Sequence, residues 1–182
     1  ACGSFLLLED GLPIRPSGFC NVNGLIEAPF EIAKQIEVIK GPASSRYGAN
    51  AMHGVINIIS KPVNSENKMY LSIGPNNYKN LKLKVGNKKN ISIDGFFSNN
   101  DGFRNASGYD QQKLKFQSSF FIASWKAKLN ATLTNLNQET AGYINGFNSY
   151  KNDSLSKLNF NPDAYRDANS QKISISLSLI HI

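Results

Sequence analysis

From Lys68 onward the apolar positions recur every second residue, the period of a strand with one apolar and one polar face. In Tyr78 to Val85, Leu81, Leu83 and Val85 share one face, and Lys82 and Lys84 share the other. In Asn90 to Asn99, Ile91, Ile93 and Phe97 oppose Ser92, Asp94 and Ser98; in Gln112 to Phe120, Leu114, Phe116 and Phe120 oppose Lys113, Lys115, Gln117 and Ser119. Trp125 to Leu136 alternates Trp125, Ala127, Leu129, Ala131 and Leu133 with Lys126, Lys128, Asn130, Thr132 and Thr134. Met69 to Gly74 and Ile173 to Leu177 complete six predicted strands. Their connections alternate in length: Gly86 to Lys89 and Phe121 to Ser124 are short, whereas Asn100 to Gln111 and Gln138 to Ser170 are long. A soluble sheet with one wet face shows the same alternation, so the pattern alone leaves sheet and membrane barrel open.

The first third of the chain reads differently. Phe5 to Glu9 is a predicted strand, Asp10-Gly11 a turn, and Ile14 to Asn23 a loop constrained by Pro16 and Gly18. Glu27 to Gln35 is predicted as a short amphipathic helix with Phe30 and Ala33 toward the neighbouring strands. Ile36 to Ser60, IEVIKGPASSRYGANAMHGVINIIS, carries a β-branched strand, a turn at Gly41-Pro42, room for one helical turn at Ala43 to Arg46, and a buried strand at Val55 to Ile59. Tyr47-Gly48, Ala51 and Gly54 supply small residues for close backbone approach.

That order of residues resembles the end of the plug domain of TonB-dependent outer-membrane receptors, in which an I-E-V-I-[RK]-G-P turn is followed by Y-G, a small residue and G-V-I-N-I. Leu6 to Pro16, LLLEDGLPIRP, resembles the same family's strand followed by D-G-x-P. The resemblance implies an α+β plug fragment (1–62), a linker (63–67) and the first antiparallel strands of a transmembrane β-barrel (68–182), an incomplete part of a plugged barrel of about 22 strands. It places the short turns on the periplasmic side, with Phe120, Phe121 and Trp125 in an interfacial girdle. It implies active import of a scarce solute, a ferric siderophore first, across the outer membrane of a Gram-negative bacterium. TonB would couple energy through a segment not present in these residues. Cobalamin, another metal complex or an oligosaccharide are alternatives within the family, and a surface β-sheet binding protein without transport is an alternative outside it.

Charge adds a constraint. The net charge is +7, yet residues 1–62 carry five basic and five acidic side chains, so the excess lies entirely after residue 62. The lysines alternate along strands without a recognition helix, zinc-finger spacing or aromatic RNP-type motif, which argues against nucleic acid. Lysines on a polar strand face suit an anionic ligand. Lys82, Lys84, Lys126 and Lys128 are expected near the short turns, and Lys113 and Lys115 nearer the outside. No apolar run approaches the 18 to 20 residues of a membrane helix, and with Ala1 first and no leader pattern the chain reads as beginning in mid-protein.

No catalytic constellation or metal cluster is expected: His53 sits among small residues, and Glu9-Asp10 lies beside a turn. The chain is therefore not read as an enzyme, and no cofactor is implied. On the resemblance, the loop after D-G-x-P faces the ligand, with Arg15, Phe19, Asn21 and Asn23 as contacts, and Glu37 and Lys40 hold the plug to the barrel wall by ion pairs. Tyr109, Tyr143, Phe147 and Tyr150 offer aromatic contacts in the outer loops. In an oxidising periplasm Cys2 and Cys20 would form a disulfide worth roughly 3 kcal/mol. Two free thiols, or a partner cysteine elsewhere, are the alternatives. The final LSLIHI, residues 177–182, is readable from CTGTCTCTTATACACATC, a transposase end used in sequencing libraries, and is expected to be adapter read-through, which would deprive His181 of meaning.

Overall fold

The computed structural model describes residues 5–15, 24–64, 66–87 and 90–179. The chain divides into two units that meet at residues 65 and 66.

The first unit is built on a four-stranded sheet in the order β2-β1-β4-β3, with β1 at Leu6–Glu9, β2 at Leu12–Pro13, β3 at Gln35–Lys40 and β4 at Gly54–Ile59. β1 runs parallel to β4, and β2 and β3 run antiparallel to their neighbours. Both residues of the Asp10-Gly11 turn have positive φ, the I′ geometry that matches the twist of a tight hairpin. The strand order puts the most apolar strands in the middle, where Leu6, Leu8 and Val55 pack with Ala43 and Ala51. The edge strand β3 leaves Ile36 and Val38 exposed.

Between these strands lie α1 (Gly24–Glu27), a 3-10 turn (Phe30–Ile32), α2 (Ser44–Tyr47) and a second 3-10 turn (Ala49–Ala51). The predicted helix over Glu27 to Gln35 does not form. Pro29 has no N–H to donate and steers Ala28 away from helical backbone, so α1 stops at Glu27. Ala28, Pro29 and Ile32 are then the buried residues there, with Phe30 and Ala33 only half-buried. The single helical turn expected after Gly41-Pro42 is present as α2. Gly54 is constrained on two counts: its φ is +152°, and a Cβ would stand 2.6 Å from the Ile39 carbonyl oxygen of the paired strand.

The second unit is a six-stranded antiparallel meander: β5 (Lys68–Gly74), β6 (Tyr78–Asn87), β7 (Ile91–Asn100), β8 (Tyr109–Ile122), β9 (Trp125–Glu139) and β10 (Tyr165–Leu179). A 3-10 turn (Ser149–Lys151) and α3 (Asp153–Ser156) punctuate the connection to β10. All six predicted strands exist, and most run further than their apolar alternation. At one end of the sheet lie the short links after β6 and β8, and at the other the connections 101–108 and 140–164. That second end also holds a tight turn at 75–77, where Asn76 and Asn77 both have positive φ, so its connections are not uniformly long. Tyr109, expected in a loop, opens β8, and its hydroxyl lies 3.3 Å from Ser98 Oγ. Leu177 and Leu179 pair with Ala127 and Trp125 at the end of β10, and residues 180–182 lie outside the described residues.

Candidate functional site

The six-stranded sheet is inverted relative to a water-soluble one. On its apolar face Leu71 is 64% exposed, Ile73 75%, Ile93 50% and Ile175 67%. On its polar face Lys113 is 0% exposed, Asp94 1%, Lys84 3% and Lys115 3%, with Ser92, Gln117, Asn130 and Thr132 also buried. In water this arrangement is backwards, because it leaves large aliphatic groups wet and desolvates ammonium groups. It is the arrangement a hydrocarbon surround selects, since backbone polar groups are paired between strands and the apolar side chains face lipid.

Register gathers the lysines. Lys84 and Lys115 both pair with Asp94, and Lys68, Thr132 and Lys172 continue the same row across the sheet. One row along, Lys82 and Lys113 both pair with Phe96, flanked by Tyr70, Thr134 and Ser170. Lys82, Lys84, Lys113 and Lys115 therefore occupy two adjacent rows rather than opposite ends of the sheet. The sequence expectation erred because antiparallel register depends on where each hairpin closes, and β8 begins earlier than its apolar residues indicate. Lys126 and Lys128 do lie toward the short turn at Ala123-Ser124.

Within this band Lys84 Nζ is 3.1 Å from Asp94 Oδ2, a pair almost fully withdrawn from solvent. Lys82 Nζ stands 5.6 Å from the centroid of the Phe96 ring, a cation–π contact. Gln117 Nε2 donates to Asn130 Oδ1 at 3.3 Å in the next row. Phe96 breaks the alternation by sitting among the polar residues, which the sequence reading missed; its register opposite two lysines is the signal, and that signal exists only once strands are paired. At the long-connection end, Asn99, Asp101, Tyr109, Asp110, Asn137 and Glu139 line a cleft of about 440 Å³ whose character is acidic and amide-rich.

In the first unit the predicted site residues part company. Arg15 is engaged in a bidentate ion pair with Glu27, Nε lying 3.0 Å from Oε2 and Nη2 contacting Oε1. The hydrogen bond to Glu27 raises the Arg15 pKa further above its usual high value. Glu37 accepts from Asn57 Nδ2 at 3.1 Å, and Asn57 Oδ1 in turn accepts from the Gly11 amide at 3.0 Å, so Glu37 is tied back to the Asp10-Gly11 turn. Asp10 closes the network by accepting from Ser60 N at 2.8 Å and Ser60 Oγ at 2.6 Å. This capping of the sheet end went unread in the sequence. Lys40 is exposed at the end of β3. Phe19, Asn21, Asn23, Cys2 and Cys20 lie outside the described residues. Among the described residues no group of three or more His, Cys, Asp or Glu side chains is placed to hold a metal ion.

The family model of the TonB-dependent receptor plug domain matches residues 3–55. Over those residues the chain is similar to that plug domain. The fold of the whole chain agrees with that assignment. The ferric citrate transporter FecA superposes with a TM-score of 0.74 at 15% identity, over 98% of this chain and 29% of that one. The pyoverdine receptor FpvA of P. aeruginosa gives 0.72 at 17% identity, over 97% and 25%. The ferric-catecholate import receptor Fiu of E. coli gives 0.68 at 18% identity, over 97% and 29%. This chain thus spans well under a third of the length of those receptors. The matched residues lie in the first unit, and the inverted sheet that follows has an antiparallel strand architecture like that of their barrels.

Proposed function

We propose that the chain is part of an active importer that carries a metal complex, specifically a ferric siderophore, across the outer membrane of a Gram-negative bacterium, energised by TonB. TonB-dependent receptors are transporters and not enzymes. The observation that carries the reading is the conjunction, in one chain, of a plug domain and a sheet whose apolar face is exposed and whose polar face is basic. The structures it resembles include a ferric-catecholate receptor, a ferric citrate transporter and a copper transporter, which supports a metal complex as cargo. Lysines on the polar strand face support a complex bearing negative charge.

In this reading the exposed aliphatic band meets lipid, and the loop Ile14 to Asn23 faces the ligand through Arg15, Phe19, Asn21 and Asn23. Glu27 orients the Arg15 fork beside that loop. Glu37 and Lys40 pair with the barrel wall, and Cys2 and Cys20 are bridged. The test is deletion of the complete gene followed by growth on single iron sources, on limiting copper and on cobalamin. Growth lost on one ferric siderophore and restored by the gene supports the proposal. Loss confined to cobalamin or copper replaces the cargo, and unchanged growth on all of them removes metal-complex import.

A further inference from the structure

Arg104 sits in the connection 101–108, between two glycines that let the chain fold back tightly, and its guanidinium reaches across to the connection 140–164. Nε and Nη2 both donate to the Leu158 carbonyl, at 3.1 and 2.6 Å, and Nη1 donates to the carbonyls of Gly142 at 2.6 Å and Ala141 at 3.3 Å. One side chain therefore joins the outgoing and returning limbs of the longer connection to each other and to the shorter one. Two further bonds run the same way: Asn105 N donates to Lys157 O at 3.0 Å, and Asn159 Nδ2 donates to Ala106 O at 2.8 Å.

Each connection is also ordered within itself. Arg104 N donates to Ser107 Oγ, which donates to Arg104 O at 2.6 Å, so the arginine's own backbone is held. In the longer connection Asn152 caps α3 by accepting from Ser154 N and Leu155 N at 3.0 and 3.1 Å. The segment projecting beyond the clamp presents Tyr143, Phe147 and Tyr150 to solvent, at 93%, 97% and 69% exposure.

We propose that the connections 101–108 and 140–164 behave as one body, bolted by the Arg104 fork, so that the exposed aromatic residues of the longer connection are positioned through the shorter one. The planar fork is what the geometry requires, because four donations in two directions are beyond a single ammonium group. All of its acceptors are neutral carbonyls, so positive charge alone does not substitute for it. The body is independent of which ligand the receptor carries.

The test is hydrogen exchange by mass spectrometry on the full-length receptor in detergent, comparing peptides that cover 101–108 and 140–164. Arg104→Ala and Arg104→Lys are both expected to raise exchange in the two segments together, by roughly tenfold or more, with the strands β7 to β10 unchanged. Asn159→Ala, which removes one cross-connection bond, is expected to raise both by a smaller common factor. If Arg104→Ala fails to assemble, the other two variants carry the comparison. A rise confined to 101–108, no rise in either segment, or unequal responses that vary independently among the variants would overturn the proposal.

Discussion

The plug domain and the sheet that follows it use the same residues on opposite sides. In the plug Leu6, Leu8 and Val55 are buried and the edge of β3 is wet. In the sheet Leu71, Ile93 and Ile175 are exposed, and Lys84, Asp94, Lys113 and Lys115 are buried. Under the proposed function both satisfy the rule that apolar side chains leave water, and they differ in where the apolar surround is: inside the plug, and outside the sheet. Exposed aliphatic side chains in the second unit do not mark a failed globular domain, because its paired backbone and consistent faces suit an apolar surround.

The comparison breaks most visibly at the buried ion pair. If the polar face is a true interior, Asp94→Ala leaves the Lys84 ammonium without its carboxylate and should destabilise the receptor by about 3–5 kcal/mol, as one-sided removal of a buried pair does. Replacing both residues together should cost less, because the Lys84 charge goes with them while Lys115, which also faces Asp94 in register, stays. The urea midpoint of the refolded receptor in detergent measures both variants. Equal losses from the single and double replacements would show that the face is hydrated enough to tolerate a free lysine.

The next effect concerns the other face. Leu114 is 41% exposed near the middle of β8, where Gly95 and Leu133 flank it in register. Leu114→Arg should cost about 2–4 kcal/mol if that face meets the bilayer midplane. On a water-exposed surface the same change usually stays within about 0.5 kcal/mol. Folding the variant into lipid vesicles over a urea series decides between the two, and a cost near zero would return the sheet to the soluble class.

How much of this was legible depended on what each residue type reports. Alternation located all six strands, Gly41-Pro42 and Asp10-Gly11 marked turns and Gly54 a close backbone approach, because a positive φ or a missing Cβ is written in the residue itself. Strand ends were not legible. Tyr109 to Gln111 and Tyr165 to Lys172 are paired throughout, yet they lack apolar alternation, since a strand that extends beyond the hydrocarbon band has no reason to keep it. The lysine rows were misplaced for that reason: spacing along one strand is visible, whereas level across strands needs register. Pro29 overrides the amphipathic pattern around it. Arg104 and the Asp10, Asn57 and Glu37 network join residues far apart in the chain, so no local signal announces them.

The smallest effect separates holding from binding in the plug. Arg15 was expected to face the ligand, and it is ion-paired with Glu27, with about a quarter of its side chain still accessible at 27%. Screening by solvent limits such a pair, so Glu27→Gln should cost no more than about 1 kcal/mol in stability. The arginine's raised pKa adds no pH dependence near neutrality: its contribution is complete below the unfolded-state value and is lost only as pH climbs through the still higher folded one. If Arg15 serves the ligand and Glu27 only aims it, Glu27→Gln should weaken uptake modestly while Arg15→Gln weakens it strongly, with the two variants equally stable. If the pair is only a brace for the start of the plug loop, the two replacements should reduce uptake alike. Transport of the radiolabelled iron complex that restores growth distinguishes these outcomes, because it reads the free arginine's contact with ligand apart from the small energy of the brace.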